Sequence, residues 1–319
     1  MFSGRGIIPW HKLGTIVEGT LTSAEAIKTA GLDWTVTKHP IFARIPDKDD
    51  LLHGKFKRVD SLYATTRDDT QHPLGVVGAR YQPIQNADGF AVLDTLAKDG
   101  AAKFDTAGSL GLGETVWMLM LAERELNIAG DKLLPYFLAT MAHDGSGRLK
   151  VRNVATRVVC ANTLAAAMGE NVTREVAISH IANYQTKIAQ ASKILKLMDE
   201  SNTALVATSD QLLAQPYSRK QFERLVATIM APPDPQDPTV TDRQCKSWEQ
   251  RFDQLIKCYN TSDLDNVRDT AWGALNAIAD FEQHVQRAKG SDTEKLETLF
   301  KRSFLQPQMA SKAFEVLTA

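Results

Sequence analysis

Residues 143–164 read HDGSGRLKVRNVATRVVCANTL, and in this stretch the chain changes from one kind of structure to another. The Asp-Gly pair at 144–145 is typical of a hairpin turn, and the alternating residues that follow predict a strand. The apolar run at 158–160 predicts the buried end of a strand, which stops where Asn162 or Thr163 can cap a helix. We therefore expect β-structure before this stretch and helices after it.

Four cations and no acid lie between residues 145 and 169, although the whole chain has a net charge of only −1. Arg148, Lys150 and Arg152 alternate with apolar residues and would share one face of a strand, with Arg157 further along. Such a face is suited to a polyanion. The alternative is a solvated strand face whose cations discourage edge-to-edge pairing. The absence of acids favours the functional interpretation, because a merely soluble face usually mixes both signs.

The residues before this stretch have the composition of a β-rich half. Segments rich in β-branched and aromatic residues are separated by Gly, Asp and Pro. One or two short helices interrupt them, the first with Thr22 and Glu25 at capping-box spacing and the second at 87–98. We predict an α+β fold: a β-rich domain at 1–165 with a curved antiparallel sheet, and an all-helical domain at 166–319. The predicted strands lie at 35–45, 58–67, 73–81, 103–110, 114–122 and 135–144.

The residues after this stretch follow the helical period. A seam recurs at alternating spacings of three and four, and it predicts one long heptad-like helix at about 176–213. The residues of the seam are Ile181, Tyr184, Ile188, Ala191, Leu195, Met198, Asn202 and Leu205. Its partner is either another helix of the same chain or a neighbouring subunit. The proline-rich segment 231–238 predicts an exposed loop or linker. Further helices are expected at 219–230, 242–259, 265–289 and 293–304.

Composition excludes several classes of protein. The chain has 319 residues, of which 43% are hydrophobic, and this is enough for one large domain or two ordinary ones. No apolar run is long enough to span a membrane, and no long apolar segment follows the first charges, so we expect a cytoplasmic protein. Cys160, Cys245 and Cys258 are too few and too scattered for a disulfide framework or a zinc site.

Three features could carry chemistry, and each has a simpler structural explanation. His143 and Asp144 form a pair that also occurs in metal-dependent phosphohydrolases, but a hairpin turn explains it better. Cys160 precedes a predicted helix N-terminus, where a thiol can be activated, yet no accompanying base is evident. The glycines at 108–113 precede a strand pattern and no Gly-Lys-Ser or Gly-Lys-Thr follows, so a turn is sufficient. No catalytic residue, metal or cofactor is predicted.

Five blocks of sequence carry a resemblance to a known family. They are WHKLGT at 10–15, LGVVGARYQPIQN at 74–86, HDGS at 143–146, RVVCANTL at 157–164 and TAWGALNAI at 270–278. In this order they resemble the prokaryotic phage/plasmid-like protein family, which is defined by a domain of unknown function. The resemblance implies a gene of a phage, prophage or plasmid that is expressed in a bacterial cytoplasm. The expected architecture is also similar to that of ring-forming single-strand annealing proteins, an analogy at the level of fold.

These observations predict a non-enzymatic protein that binds nucleic acid, most simply a homo-oligomer that coats or anneals single-stranded DNA. The alternative is a protein-interaction or structural oligomer that acts on a host or phage partner through its helical half. An enzyme has the least support. The residues predicted to contact DNA are Arg148, Lys150, Arg152 and Arg157, helped by Lys55, Lys57 and Arg58.

Overall fold

The computed structural model describes residues 13–46, 54–128, 130–157, 175–180, 193–234 and 236–319. The predictions for Cys160 and for the helix cap at Asn162 or Thr163 lie outside these residues, as does the side chain of Arg157. Within them the architecture is mixed. Antiparallel sheets, which are not closed, form the N-terminal half and helices form most of the C-terminal half, as the sequence predicts.

The strands of the described residues form two sheets. In chain order they are β1 (Thr15–Ile16), β2 (Val36–Ile45), β3 (Lys55–Arg67), β4 (Pro73–Gly78), β5 (Ala102–Leu110), β6 (Thr115–Ala122), β7 (Leu126–Ile128), β8 (Asp131–Ala142), β9 (Leu149–Arg157) and β10 (Glu175–Ile178). The seven-stranded main sheet has the order β1-β5-β6-β8-β9-β10, with β7 paired to β8. The smaller sheet has the order β2-β3-β4.

The main sheet is covered on both faces, which explains why β6 is apolar without alternation. Met118 and Met120 pack in one core with Phe90, on the side of the N-terminal helices. Trp117 packs in a second core with Phe300, from the C-terminal half. Both faces of the central strands are therefore unavailable to a ligand.

The smaller sheet continues into a two-stranded extension. A bulge between Pro40 and Ile41 shifts the register, so that Pro40 pairs with Tyr63 while Ile41 pairs with Val59. Ser61 lies in this bulge with a φ of 65°. Beyond it β4 no longer pairs, and β2 and β3 alone form a ribbon from 41–45 and 55–59. We call this segment the ribbon.

Short helices cover the main sheet in the N-terminal half. Helix α1 (Ser23–Thr29) begins at the predicted cap, where Thr22 accepts a hydrogen bond from the Glu25 backbone N–H. The second predicted helix is divided into α2 (Asn86–Phe90), a 3₁₀ turn and α3 (Asp94–Lys98).

Most C-terminal helices follow the predicted segments, but the helix predicted at 265–289 is shorter and covers only 271–285. Two π-helical turns, Phe281–Val285 and Lys301–Leu305, extend α7 and α8, and α9 was not predicted. No described helix combines the length and the apolar character that a membrane crossing requires. The helices are α4 (Lys193–Ala214), α5 (Arg219–Ile229), α6 (Asp242–Tyr259), α7 (Ala271–Asp280), α8 (Asp292–Phe300) and α9 (Gln308–Thr318).

The predicted long helix at 176–213 is wrong at its beginning. Residues Glu175–Ile178 form strand β10, in which Val176 pairs with Val151 and Ile178 with Leu149 of β9. Ile178 is buried in the sheet core, so pairing with β9 decides the conformation of these residues. The later part of the prediction is confirmed by α4, whose Leu205 packs within the helical core of the same chain.

Candidate nucleic-acid interface

One face of the ribbon carries two aromatic and two cationic side chains in alternation. Phe42 pairs with Arg58, and Arg44 pairs with Phe56. Cross-strand partners share a face, and so do residues two apart on one strand, so these four side chains form a checkerboard. All four are exposed, Phe42 by 53% and Phe56 by 67%. Lys55 and Lys57 belong to the opposite face.

The exposure of these rings follows from the topology. A two-stranded ribbon has no third strand or covering helix against which it can bury a face. Among the described residues of the ribbon, neither phenylalanine belongs to a hydrophobic core. Adjacent exposed aromatics are unfavourable in water and are typical of an interaction surface.

The checkerboard continues toward the main sheet through Tyr63. The Arg58 guanidinium lies 6.0 Å from the Tyr63 ring centroid and donates a 3.4 Å hydrogen bond to the hydroxyl. Lys38 Nζ lies 4.5 Å from the same ring centroid. It also donates hydrogen bonds of 2.9 and 2.8 Å to the carbonyls of Ala79 and Tyr81. A surface of cations and rings therefore runs from the ribbon to Tyr81.

A cleft of about 640 Å³ lies where this surface reaches the main sheet. Two arginines, Arg80 and Arg148, line it, and both are exposed. Neither forms an ion pair within the part of the chain that the structure describes. The remaining lining residues are Ser61, Leu62, Gly78, Ala79, Tyr81, Gly145, Gly147, Ser179 and His180.

The smaller sheet is fixed to the β8–β9 turn beside this cleft. Thr65 Oγ1 donates a 2.8 Å hydrogen bond to the His143 carbonyl. A Cβ on Gly75 would lie 2.5 Å from the Asp144 Cα, so a side chain at this position would separate the two sheets. The predicted turn at 144–147 is confirmed, and Asp144 Oδ1 accepts hydrogen bonds from the backbone N–H and hydroxyl of Ser146.

Two histidines beneath the cleft are buried and neutral at pH 7. His143 Nε2 lies 2.8 Å from Asn86 Oδ1, and burial lowers the pKa of His143 to about 3. His180 Nδ1 accepts a 3.2 Å hydrogen bond from the Ile84 N–H, and burial lowers the pKa of His180 to about 4. Among the described residues, no group of three His, Cys, Asp or Glu side chains could hold a metal ion. His143 is thus a core residue.

The cations of β9 occupy a different environment. Glu175 of β10 lies 3.0 Å from Lys150 and 3.0 Å from Arg152, and so supplies the acid that residues 145–169 lack. Arg152 also donates a 3.1 Å hydrogen bond to the Phe304 carbonyl, and its side chain is only 17% exposed. These two cations therefore link β9 to β10 and to the C-terminal half.

Residues 73–303 match the family described as Domain of unknown function (DUF932). The chain belongs to this family. A search of curated proteins found no match. A search of solved structures also found none. The family description assigns no activity, so the argument for a function rests on the geometry of the chain.

The DUF932 match begins at β4, and therefore includes the cleft residues from Gly78 onward but neither Ser61 and Leu62 nor the ribbon. The structure distributes the predicted DNA-contacting residues over three places. Arg148 lines the cleft; Lys55, Lys57 and Arg58 lie on the ribbon; and Lys150 and Arg152 bind Glu175. The backbone of Arg157 ends β9.

Sequence reasoning missed four residues of this candidate interface: Phe42, Arg44, Phe56 and Arg80. A signal for the first three was present. Phe42 and Arg44 are two residues apart on β2, and Phe56 and Arg58 are two apart on β3, so each strand alternates a ring with a cation. The same alternation on both strands of a hairpin is a stronger indication of a nucleic-acid surface than cations alone.

Proposed function

We propose that this chain is a non-enzymatic protein that binds single-stranded DNA through the Phe–Arg face of the ribbon. The observation that carries the proposal is the exposed checkerboard of Phe42, Arg44, Phe56 and Arg58. Arginine guanidinium groups attract phosphates regardless of sequence, and phenylalanine rings stack on any base. The combination suits a single strand, because the bases of a duplex are already stacked on one another.

A single ribbon offers few contacts, so we propose that the protein acts as a homo-oligomer. Repetition of the ribbon around an assembly would create a continuous track, and each additional subunit would raise the avidity for one strand. A curved main sheet would favour such an arrangement. Lys55 and Lys57, on the opposite face of the ribbon, add electrostatic attraction at longer range.

The biological setting we propose is the replication or recombination of a phage or plasmid, where single strands are coated or annealed. Its support is the order of five sequence blocks that resemble the phage/plasmid-like family. Such elements commonly carry their own DNA-handling proteins. The cytoplasm of a bacterial host is the corresponding location.

The test is binding of a fluorescent 50-mer single strand, followed by anisotropy at several salt concentrations and by light scattering of the complex. The wild-type chain should bind in a salt-sensitive manner as a large assembly. The double variant Phe42→Ala/Phe56→Ala should bind at least tenfold more weakly, because stacking contributes about 1–3 kcal/mol per base. Circular dichroism should show that the variant remains folded, since both rings are exposed.

The matched control is Ile45→Ala, which removes an exposed apolar side chain from the opposite face of the same ribbon. Its affinity should stay within twofold of wild type. A chain that remains a DNA-indifferent monomer or dimer would contradict the proposal. A stable complex with a host or phage protein would then favour the protein-interaction alternative.

A further inference from the structure

The cleft beside the ribbon contains a buried hydrogen-bond donor without an acceptor. His180 is 4% exposed, and its Nδ1 accepts the Ile84 N–H, so the proton of the neutral ring is on Nε2. This Nε2 has no hydrogen-bond partner among the described residues. An unsatisfied buried donor is costly, and this one belongs to a residue that lines the cleft.

The imidazole of His180 is held in a fixed orientation. The Tyr81 ring stacks on it with a centroid distance of 4.8 Å and an interplanar angle of 8°. Tyr81 is itself fixed by a 3.2 Å hydrogen bond from its hydroxyl to the Ala142 carbonyl. The donor is therefore part of a rigid wall.

The mouth of the cleft is cationic. Arg80 follows β4 and Arg148 precedes β9, so the two guanidinium groups approach the cleft from different segments. The acid of the same turn, Asp144, has one carboxylate oxygen occupied by two hydrogen bonds from Ser146. Arginine binds phosphate through two parallel N–H donors, and this geometry is available to both side chains.

Part of the cleft between the two arginines and His180 is lined by residues without side chains. Three glycines, Gly78, Gly145 and Gly147, line the cleft, and a Cβ on Gly78 would meet no atom within 4 Å. Residues without side chains allow an anion to approach the backbone closely. A volume of about 640 Å³ is sufficient for one nucleotide unit.

We propose that this cleft is a phosphate monoester site, in which Arg80, Arg148 and the Nε2–H of His180 bind the phosphate oxygens. Two guanidinium groups favour the dianion of a monoester over the single charge of a phosphodiester within a strand. The ligand is either the terminal phosphate of a DNA strand or a free nucleoside monophosphate. The first source deepens the proposed DNA binding, whereas the second does not depend on it.

The experiment compares three 12-mer single strands that differ only at their ends: 5′-phosphorylated, 3′-phosphorylated and unphosphorylated. We expect a phosphorylated strand to bind about tenfold more tightly, the gain typical of added charge-assisted hydrogen bonds. Competition with dAMP and with inorganic phosphate, followed by calorimetry, separates the two sources. If dAMP or phosphate displaces the phosphorylated strand, the site also accepts free monoesters. If neither displaces it, the site binds only the phosphate at a strand end.

The variant Arg80→Ala/Arg148→Ala should abolish the preference for phosphorylated strands, and Arg124→Ala, an exposed arginine outside the cleft, should preserve it. His180→Gln, which keeps an N–H donor at this position, should retain more of the preference than His180→Leu. The Phe42→Ala/Phe56→Ala variant should bind all strands weakly yet keep the preference, which separates a failure of the cleft from a failure of the ribbon. Equal affinity for all three strands, with no calorimetric binding of dAMP or phosphate, would overturn the proposal.

Discussion

The ribbon and strand β9 both carry closely spaced cations on antiparallel strands, but their surroundings differ. On the ribbon, Arg58 is opposed by the exposed ring of Phe42, and no further strand pairs there among the described residues. On β9, Arg152 is opposed by Glu175 and is bound to the Phe304 carbonyl. The spacing of cations along a strand therefore does not show whether an acid or a covering element engages them.

The difference has a physical origin in the number of neighbours each strand has. Strand β9 lies inside the main sheet, and Phe300 and Phe304 cover one of its faces from the C-terminal half. A cation there must be paired, because an unpaired buried charge is strongly unfavourable. The cations of the ribbon are exposed, so burial imposes no such requirement on them.

The largest expected effect concerns the element that covers β9. Phe300 is fully buried, with its ring centroid 4.6 Å from that of Trp117 and 4.9 Å from that of Phe304. Phe300→Ala should lower the free energy of unfolding by about 3–5 kcal/mol, through lost burial and the cavity that remains. Phe56→Ala, which removes an exposed ring from the ribbon, should change it by less than about 0.5 kcal/mol. Urea denaturation measures both, and similar values for the two variants would remove the distinction between the regions.

The next effect is a pH dependence at the junction between the two sheets. Burial lowers the pKa of His143 to about 3 and of His180 to about 4, so the folded chain binds fewer protons than the unfolded chain below about pH 6.5. Stability from these groups is complete above pH 6.5 and is lost as the pH falls toward 4. At pH 5 each histidine should lower the free energy of unfolding by about 2 kcal/mol relative to pH 7.

Urea midpoints between pH 7 and pH 5 measure this loss, and His180→Gln should give a shallower pH profile than wild type. Equal slopes for the two proteins would show that His180 titrates normally in the folded chain. The ribbon provides an internal contrast, because it contains no histidine at 41–45 or 55–59. Any loss of DNA affinity over the same interval should therefore follow the loss of folded protein.

A smaller effect distinguishes Arg152 from Arg58, both of which are predicted from the sequence to contact DNA. Arg152→Ala should reduce stability by about 1–2 kcal/mol, since it removes a half-buried ion pair and a hydrogen bond, although Glu175 keeps contact with water. Arg58→Ala should leave stability unchanged and weaken single-strand binding. Thermal denaturation and anisotropy on both variants form the measurement. A destabilised Arg58→Ala variant would indicate that the contact with Tyr63 is structural.

Local patterns predict much of this fold. The capping pair of Thr22 and Glu25 places the start of α1 correctly, and the apolar run of β6 correctly predicts a strand. The helix predicted at 176–213 is wrong at its beginning for a clear reason. Only the register of β10 against β9 shows that Val176 belongs to a sheet. Val176, Ala177 and Ile178 are consecutive, and so short an apolar run cannot reveal the neighbouring strand with which it pairs.

The candidate site was less accessible to sequence reasoning. The prediction located Arg58, but the relation between Arg58 and Phe42 depends on the bulge after Pro40, which shifts the register of β3. A slip of one residue would place Phe56 and Arg58 of β3 on the face opposite Phe42 and Arg44 of β2. Likewise, the role of Glu175 beside Arg152 depends on contact between segments that the chain places 23 residues apart. Both are consequences of register, which composition and spacing do not encode.

The smallest expected effect tests whether the ribbon binds DNA with one face. Arg58 belongs to the Phe–Arg face, whereas Lys57, next to it in sequence, pairs with Ala43 on the other face. If the strand contacts only the first face, Arg58→Ala should reduce the slope of log affinity against log salt by about 0.7, the value for one phosphate contact on a single strand. Lys57→Ala should leave the slope nearly unchanged, as should Lys150→Ala, because Lys150 is bound to Glu175.

Salt titrations of the three variants with one labelled strand provide the comparison. Equal losses for Arg58→Ala and Lys57→Ala would mean that DNA wraps both faces of the ribbon, and a loss for Lys150→Ala would mean that Glu175 releases its partner when DNA binds.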